Sequence, residues 1–594
     1  MRFLFLSLFF SAFVGCVKAQ DNSLLTNPLG QYEELADPKP KDSEARWEKL
    51  PCPVMLSWAS KDIRYPKHSI PQLENIQHSA SIKAWRGERV NLQAMLWTNV
   101  DLEKVKLLAS DLRSANNIIP SSNVRTHFVR YVLTDELNKD GKGGCGCREN
   151  KAEWDSSLVA DVLDINDCLP VERNSARPLW LNVRVPMNVE PGVYKGSLYV
   201  VIGEDNVKQL DYEVKVLNRQ LPEPKDWHLN LDLWQNPYSV ARYYGVKLWS
   251  QEHFDAMLPI MRMLADAGQS AITASIMHMP WNGQTEDHYD SMVTRVKHID
   301  GSWEFGYNVF DRWVEFMTNK VGIKGLISCY TMIPWNLRFD YYDEATNRVQ
   351  FVETKPGDAA YAEYWGVFLR DFSKHLKQKG WFERTAISMD ERPMDAMKEA
   401  IKVIKEADKE FKITLAGNYH DEIQGDLYYL SIPYGQHFLD SVLKERRAKG
   451  QISTYYTCCT EAFPGTFSFS SPAEATWIGI NAVADDYDGY LRWAVNSWTK
   501  DPLHDSRFRT WAAGDTYSIY PGPRSSIRFE RLVEGLQDAE KVFLLKNQYA
   551  KTGQKKRLAA LRKALNSFKS SAMTEEKKVN AASMVVKLEQ MLNQ

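Results

Sequence analysis

A change of rhythm near residue 221 constrains this chain most. From Trp47 to about Leu221 the sequence consists of short runs rich in β-branched and aromatic residues, bounded by turn residues, as at 89–97, 124–133, 179–185 and 192–202. The last two flank a segment bounded by Pro186 and Pro191-Gly192, which cannot continue a central strand and reads as a turn. With no long helix between such runs, a β-sandwich is expected over residues 46–221. A Pro-rich linker, 221–225, follows, and beyond it strand alternates with helix. Strands are expected at 228–234, 271–277, 325–332, 385–389, 412–418, 428–433, 451–457 and 490–498, with amphipathic helical stretches such as 252–267, 361–379 and 394–411 between them. Eight strands alternating with helices predict a (β/α)8 TIM barrel over 226–525. Residues 526–594 read as a C-terminal helical segment, with Leu558, Leu561, Leu565, Leu588 and Leu592 in amphipathic spacing, covering the barrel.

The first 19 residues read as a signal peptide: Met1-Arg2, an apolar run from Phe3 to Val14, then small residues through Ala19. The run falls short of the roughly 20 residues a permanent transmembrane helix needs, and no later stretch supplies them. Export to a periplasmic or extracellular location is expected. Val17 and Ala19 suit cleavage before Gln20, while Phe13-Val14-Gly15-Cys16 is an imperfect lipoprotein box that leaves lipid anchoring as the alternative. Residues 20–45 are polar and punctuated by Pro and Gly, as a linker would be. A formal charge of only −2 provides no basic field to gather nucleic acid.

Eight cysteines include Cys16, so cleavage after Ala19 leaves an odd number and at least one without an intrachain partner. Cys145-Gly-Cys147 lies in a Gly-rich loop with Cys168 downstream, which favours a loop-closing disulfide in an oxidising compartment. The spacing lacks a Cys-x2-Cys pair or a nearby His for zinc. Cys458-Cys459 reads as a buried pair of small residues at a strand end.

In a barrel of this class, functional groups collect where strands open into the following loops. That rule selects Trp234, His278 with Trp281, Trp335 with Asn336, Asp390-Glu391, Tyr419-His420, Tyr455-Tyr456, and Asn496 with Trp498. The chain carries 19 Trp, and sugar rings stack their apolar faces on such residues, so Trp234, Trp281, Trp335 and Trp498 are candidates for a sugar-binding floor as well as for core. His278 is a candidate hydroxyl contact. No Gly-rich phosphate loop, metal-spaced cluster or nucleophile elbow is found, and no cofactor is implied.

Most informative is the end of the fourth strand, where two acids stand together before Pro393. Usual glycosidase acids lie about 5 to 9.5 Å apart across the bond and come from separate places. An adjacent pair suits a different scheme, in which the substrate's own 2-acetamido oxygen attacks the anomeric carbon. Asp390 would then hold the acetamido N–H, and Glu391 would protonate the leaving oxygen and later activate water. Because consecutive strand residues face oppositely, both reach one sugar only where the strand opens. Burial and like charge would raise one acid's pKa. A tyrosine hydroxyl could assist at the acetamido oxygen, and of Tyr455 and Tyr456 only one can face the site. The alternative for the acids is a surface role paired with Arg392.

The strings SMDERP (388–393), NLDLWQNP (230–237), GDTYSIYPG (514–522) and SSIRFERLVEGLQDAEK (525–541), with PGVYKGSLYVV (191–201) in the sandwich, resemble glycoside hydrolase family 123 over most of the chain. The resemblance implies an exo-acting, retaining β-N-acetylgalactosaminidase that uses substrate assistance, with the family's Asp-Glu pair on Asp390 and Glu391. Glycan or glycolipid would be its substrate. Family 20 hexosaminidases share the acid pair and barrel, but not these flanking blocks. Alternatives are a β-N-acetylglucosaminidase or broader hexosaminidase, which differs by reading one C4 hydroxyl, and a secreted carbohydrate-binding protein without catalysis.

Overall fold

The structure, a computed structural model, describes residues 29–38, 46–135 and 156–594. The leader, most of the linker and the Cys145-Gly-Cys147 loop lie outside them. Cys168 and Cys459 are disulfide-bonded, whereas Cys52, Cys329 and Cys458 are free. The reading of Cys458-Cys459 as a plain buried pair is therefore corrected at Cys459.

The N-terminal region is a sandwich of two sheets. One runs in the order Val54–Ala59, Arg89–Thr98, Ser175–Arg184, Val124–Thr134, Ser157–Leu163 and Ser525–Ser526. The other has a main path of Ser79–Arg86, Asn206–Gln220, Gly192–Ile202, Leu102–Ala109 and Cys168–Val171. Alternating residues such as Leu56, Leu96, Leu107, Phe128, Leu181 and Val214 meet between them in one apolar core.

The second region is an eight-stranded, all-parallel sheet curled into a barrel. Its strands are β1 Asn230–Leu233, β2 Ala271–Ser275, β3 Leu326–Tyr330, β4 Thr385–Asp390, β5 Lys412–Ala416, β6 Tyr429–Pro433, β7 Ile452–Tyr456 and β8 Gly489–Arg492. All eight fall where the sequence rhythm places them, although β8 ends six residues early. Between β5 and β6 the chain makes only a 3-10 turn, Gln424–Asp426. Loops after β2 and β3 contribute a small sheet that the sequence reading did not find, ordered Trp303–Gly306, Thr294–Lys297, Arg338–Asp343 and Arg348–Glu353.

Strand alternation sorts the barrel residues cleanly. Leu231, Ile272, Ile327, Met389, Leu415 and Tyr455 face the surrounding helices in the main core. The opposite set faces inward and is rich in hydroxyls: Ser275, Ser328, Ser388, Thr414, Ser431 and Thr454 are all buried, where such barrels usually carry bulky aliphatics. Thr414 donates to the Ser388 hydroxyl at 2.8 Å across this interior.

The helix Ile527–Lys551 follows β8 and packs Phe529, Leu532, Val533 and Leu536 into the main core around the barrel. Residues Ile527 to Val542 are buried nearly all round. On one side Gly535 meets Gly479 of the helix Pro472–Ala484 so closely that a Cβ on Gly479 would fall 2.2 Å from the Gly535 backbone. On the other its charges meet the sandwich: Arg528 with Asp161 at 2.9 Å, Arg531 with Asp62 at 2.8 Å, and Lys541 with Glu88 at 2.5 Å. Leu561, Leu565, Leu588 and Leu592 of the last helices pack against this layer. No helix among the described residues is long and apolar enough to cross a membrane.

Between β1 and β2 the backbone ladder is reduced to one bridge, Leu231 to Gln269, and two side-chain amides complete the seam. Gln269 accepts from Leu233 N–H at 2.9 Å and donates to Ala271 C=O at 2.7 Å. Gln235 accepts from Thr273 N–H at 2.9 Å. Without Gln269, Leu233 N–H would lose its partner and Ala271 C=O would keep only a long bond from Gln235 at 3.4 Å. Stranding one buried backbone group costs about 1–3 kcal/mol. Urea unfolding of Gln269→Leu should therefore show a loss of at least about 1–3 kcal/mol; an unchanged midpoint would mean the seam does not depend on this amide.

Candidate active site

Asp390 is the last residue of β4 and faces the barrel interior, so its carboxylate stands at the mouth. The Trp281 indole N–H donates to its Oδ2 at 2.6 Å. Trp281 is itself held by stacking on Trp234 at 5.1 Å and by an edge contact with Tyr289 at 4.7 Å, and Trp234 lies 4.3 Å from Tyr330. This aromatic box leaves the indole little freedom. Burial pushes the Asp390 carboxyl above its ordinary value, while the Arg392 guanidinium, 3.9 Å away, and the Trp281 N–H pull it down.

Glu391 is the first residue beyond the strand, free of the alternation that would have turned it outward. It leans on the loop after β5, where Asn418 N–H donates to Oε2 at 2.5 Å and the Asn418 side-chain amide donates to Oε1. Gln436 in turn anchors Asn418 and accepts from Tyr419 N–H at 2.9 Å. Gly417 permits this approach, since a Cβ there would lie 2.8 Å from Glu391 Cβ. His420 Nε2 is 3.5 Å from Glu391 Oε1. The Glu391 side chain is 34% exposed and that of Asp390 16%, so the two acids differ in their access to water.

Of Tyr455 and Tyr456, the parity is now assigned. Tyr455 turns outward and donates to Ile478 C=O at 2.7 Å in the core. Tyr456 turns inward, where burial raises its hydroxyl pKa and the charges of Glu391 and Asp390 add to the effect. Trp335 is 60% exposed, with the Arg392 guanidinium over its ring at 4.4 Å, and Asn336 is exposed beside it. His278 pairs with Asp290 at 3.0 Å, which raises its pKa, and neighbours Phe351 of the inserted sheet.

One candidate is corrected. Trp498 is fully buried, donates to Ile519 C=O at 2.7 Å and packs on Tyr243 and Tyr244, so it is core. Tyr419, between the Asn418 and His420 that contact Glu391, packs edge-on against Phe438 and donates to Asp421 at 2.7 Å. At the true end of β8 stands Trp493, which the sequence reading missed. It packs with the inward aromatic cluster and meets Trp511 at 5.5 Å. Asp515, accepting from Trp493 at 3.1 Å and Arg492 at 2.5 Å, braces it, and Tyr520 braces the same region by donating to Asp161 at 2.6 Å.

Below the aromatic box lies Asp232 on β1, buried, with Oδ1 lacking a hydrogen-bond partner. Burial pushes its carboxyl up to about 7. Among the described residues no group of three or more His, Cys, Asp or Glu could hold a metal ion.

The model of the glycoside hydrolase 123 catalytic domain matches residues 234–545, and that of the glycoside hydrolase 123 N-terminal domain matches 58–202. A family 123 glycoside hydrolase from Clostridium perfringens, described in a study of glycolipid glycan hydrolysis, superposes with a TM-score of 0.81 at 26% identity, covering 91% of this chain and 98% of that one. A Bacteroides ovatus GH5 xyloglucanase reaches only a TM-score of 0.28 at 8% identity, over 81% of this chain and 99% of its own, and carries no weight. No curated protein matches.

The Asp232 carboxyl yields a pH prediction. Its folded pKa exceeds the ordinary carboxylate value of 3.8, so the folded protein holds this proton more tightly than the unfolded chain. Its ionisation therefore removes stability as pH rises from about 4 to about 7. Asn cannot ionise. The Tm of Asp232→Asn relative to the native protein should climb between pH 4.5 and pH 8, and a difference constant across that range would contradict a buried, late-ionising Asp232.

Proposed function

The chain belongs to glycoside hydrolase family 123, and from that premise we propose that it releases terminal β-linked N-acetylgalactosamine from glycolipids or other glycans with retention of configuration. The observation that carries this reading is the unequal setting of two adjacent acids at the end of β4. Asp390 is half-buried and pinned by the Trp281 N–H; Glu391 is the more exposed and rests on Asn418. A group that passes protons to a leaving oxygen and then takes one from water must be reachable by both. A group that holds one N–H through the whole reaction gains from a fixed, dry setting.

In the first step the substrate's acetamido oxygen attacks C1, the bond from C1 to the leaving oxygen breaks, and Glu391 gives that oxygen its proton. Asp390 accepts the acetamido N–H, which grows more positive as the oxazolinium forms. Tyr456 donates to the acetamido oxygen and orients it for attack. In the second step water adds to C1 as the bond to the acetamido oxygen breaks, and Glu391 takes the water proton. Two inversions at C1 give net retention. The Trp234, Trp281 and Trp493 rings supply apolar surface for the sugar face, and Trp335 at the rim offers a platform for the leaving portion. The Clostridium perfringens relative, studied on glycolipid glycans, supports the same class of substrate here.

A panel of aryl glycosides tests the reading. The β-N-acetylgalactosaminide should be hydrolysed, and the β-galactoside, lacking the internal nucleophile, should turn over at least roughly a hundredfold more slowly. Efficient cleavage of the galactoside would sink substrate assistance, and preference for the β-N-acetylglucosaminide would reassign the sugar.

Glu391→Gln separates the roles of the two acids. Acid assistance matters most for basic leaving oxygens, so the variant should lose about 10² to 10⁴-fold on an oligosaccharide and much less on an activated nitrophenyl glycoside. Equal losses on both would remove Glu391 from the acid role.

A further inference from the structure

A cleft of about 510 Å³ lies where the sandwich meets the barrel, away from the acid pair. Its charged walls are Arg89, Arg125 and Arg184 from the sandwich with Arg262, Asp266 and Glu530 from the barrel side. Four arginines against two carboxylates leave it at +2. His127 also lines it but adds no charge, because burial lowers its pKa and its Nδ1 is engaged with Asp164 C=O at 2.7 Å.

Both carboxylates are already committed. Glu530 takes Arg89 at 3.3 Å, the Asn182 amide at 3.1 Å and the Ser525 hydroxyl at 2.6 Å. Asp266 takes Arg184 at 3.0 Å. Arg125 and Arg262 are exposed and have no acid partner among the described residues; Arg262 reaches only Lys320 C=O at 3.5 Å. Arg89 Nη2 is buried without a hydrogen-bond partner. The unsatisfied groups of the cleft are thus guanidinium donors drawn from both domains, converging on one concave space.

Such donors are matched by a planar or tetrahedral oxyanion, which accepts several N–H groups at once. Leu163, Leu258, Pro259, Met263 and Pro523 add apolar wall, and Ser122, Asn123, Asn182 and Ser525 add neutral polar groups. That mixture suits a sugar ring with CH faces better than a free inorganic ion, and a recessed cleft suits an oligosaccharide better than a flat membrane surface. We propose that this cleft is a second glycan-binding site that takes an acidic saccharide through its sulfate or carboxylate group. It would hold an acidic branch of the glycan while the acid pair works elsewhere, and it does not depend on the reaction proposed above.

Titration calorimetry of the full chain with lactose 3′-sulfate and with plain lactose tests the site. The sulfated sugar should bind at least about tenfold more tightly, a difference equivalent to roughly 1.4 kcal/mol. Arg125→Ala combined with Arg262→Ala should weaken it by at least about tenfold, and inorganic sulfate should compete. Both arginines are exposed and unpaired, so hydrolysis of a neutral aryl glycoside by the double variant should match the native protein and report intact folding. Binding of the native protein should also weaken as salt rises. Equal affinity for the two lactoses, or undiminished binding by the double variant, would overturn the proposal.

Discussion

One guanidinium ties the parts of this protein together. Arg528, 1% exposed, donates from Nε to Asp161 of the sandwich at 2.9 Å. From Nη1 it donates to three barrel carbonyls, those of Thr466 at 2.5 Å, Gly514 at 2.8 Å and Tyr517 at 2.9 Å. The first lies in the loop after β7 and the others in the long return after β8, so the same side chain fixes both loops and docks the domains. Asp161 also takes Tyr520 at 2.6 Å and Arg64 at 3.1 Å, which leaves the buried carboxylate fully engaged. Breaking such a pair from one side costs about 3–5 kcal/mol, because the remaining charge stays buried. The sandwich is therefore part of the barrel's scaffold. Its acids make it possible for the helix Ile527–Lys551 to be both charged and buried.

The same logic explains the barrel's interior. Hydroxyl-bearing side chains fill less volume than branched aliphatics and bring donors and acceptors that need partners. Thr414 finds its partner in Ser388, the Ser431 and Thr454 hydroxyls are buried without one, and Gln235 and Gln269 serve backbone groups at the open β1–β2 seam. A polar interior lets Asp390 sit at the end of a barrel strand facing inward, where an aliphatic barrel would make its burial prohibitive. The cost reappears one layer down, where Asp232 ionises only near pH 7.

Much of this was legible in the chain. The switch from strand-only to strand–helix rhythm placed all eight barrel strands, and the rule that function collects at strand ends pointed to Asp390, Glu391, Trp234, Trp281 and Tyr456, which the fold gathers near one another. What escaped was set by tertiary detail. Ala494 to Trp498 look like strand, yet β8 stops at Arg492, and the Asn496 side chain both accepts from Asn236 N–H and donates to Asn236 C=O, each at 2.8 Å, tying the folded-over chain to the end of β1. Trp498 was chosen for that reason, and Trp493 passed over. A two-residue period cannot say which phase faces inward, so Tyr455 and Tyr456 stayed open until the register was known. The inserted sheet draws its strands from two loops far apart in sequence, and nothing local to either announces the pairing. The helix Ile527–Lys551 hid its place because its buried face is charged, which reads as solvent-facing until the sandwich acids are seen.

The electrostatics of Asp390 bear on how the proposed reaction would be timed. In the free site burial works against its negative charge, with Arg392 and the Trp281 N–H opposing. A substrate that brings an acetamido N–H to this carboxylate adds a donor to the charged form and excludes water from it. The first effect lowers the pKa and the second strengthens the new bond, since it acts in a lower dielectric. As the oxazolinium forms, that N–H becomes more positive, so the carboxylate favours the transition state over bound substrate. Such a difference accelerates a reaction, whereas equal binding of both would not. In the proposed reaction Glu391, outside the strand and on the Asn418 amide, has the opposite task of passing a proton to the leaving oxygen and taking one from water. Placing one acid on the last inward position of β4 and the next just past its end supplies both environments within two consecutive residues.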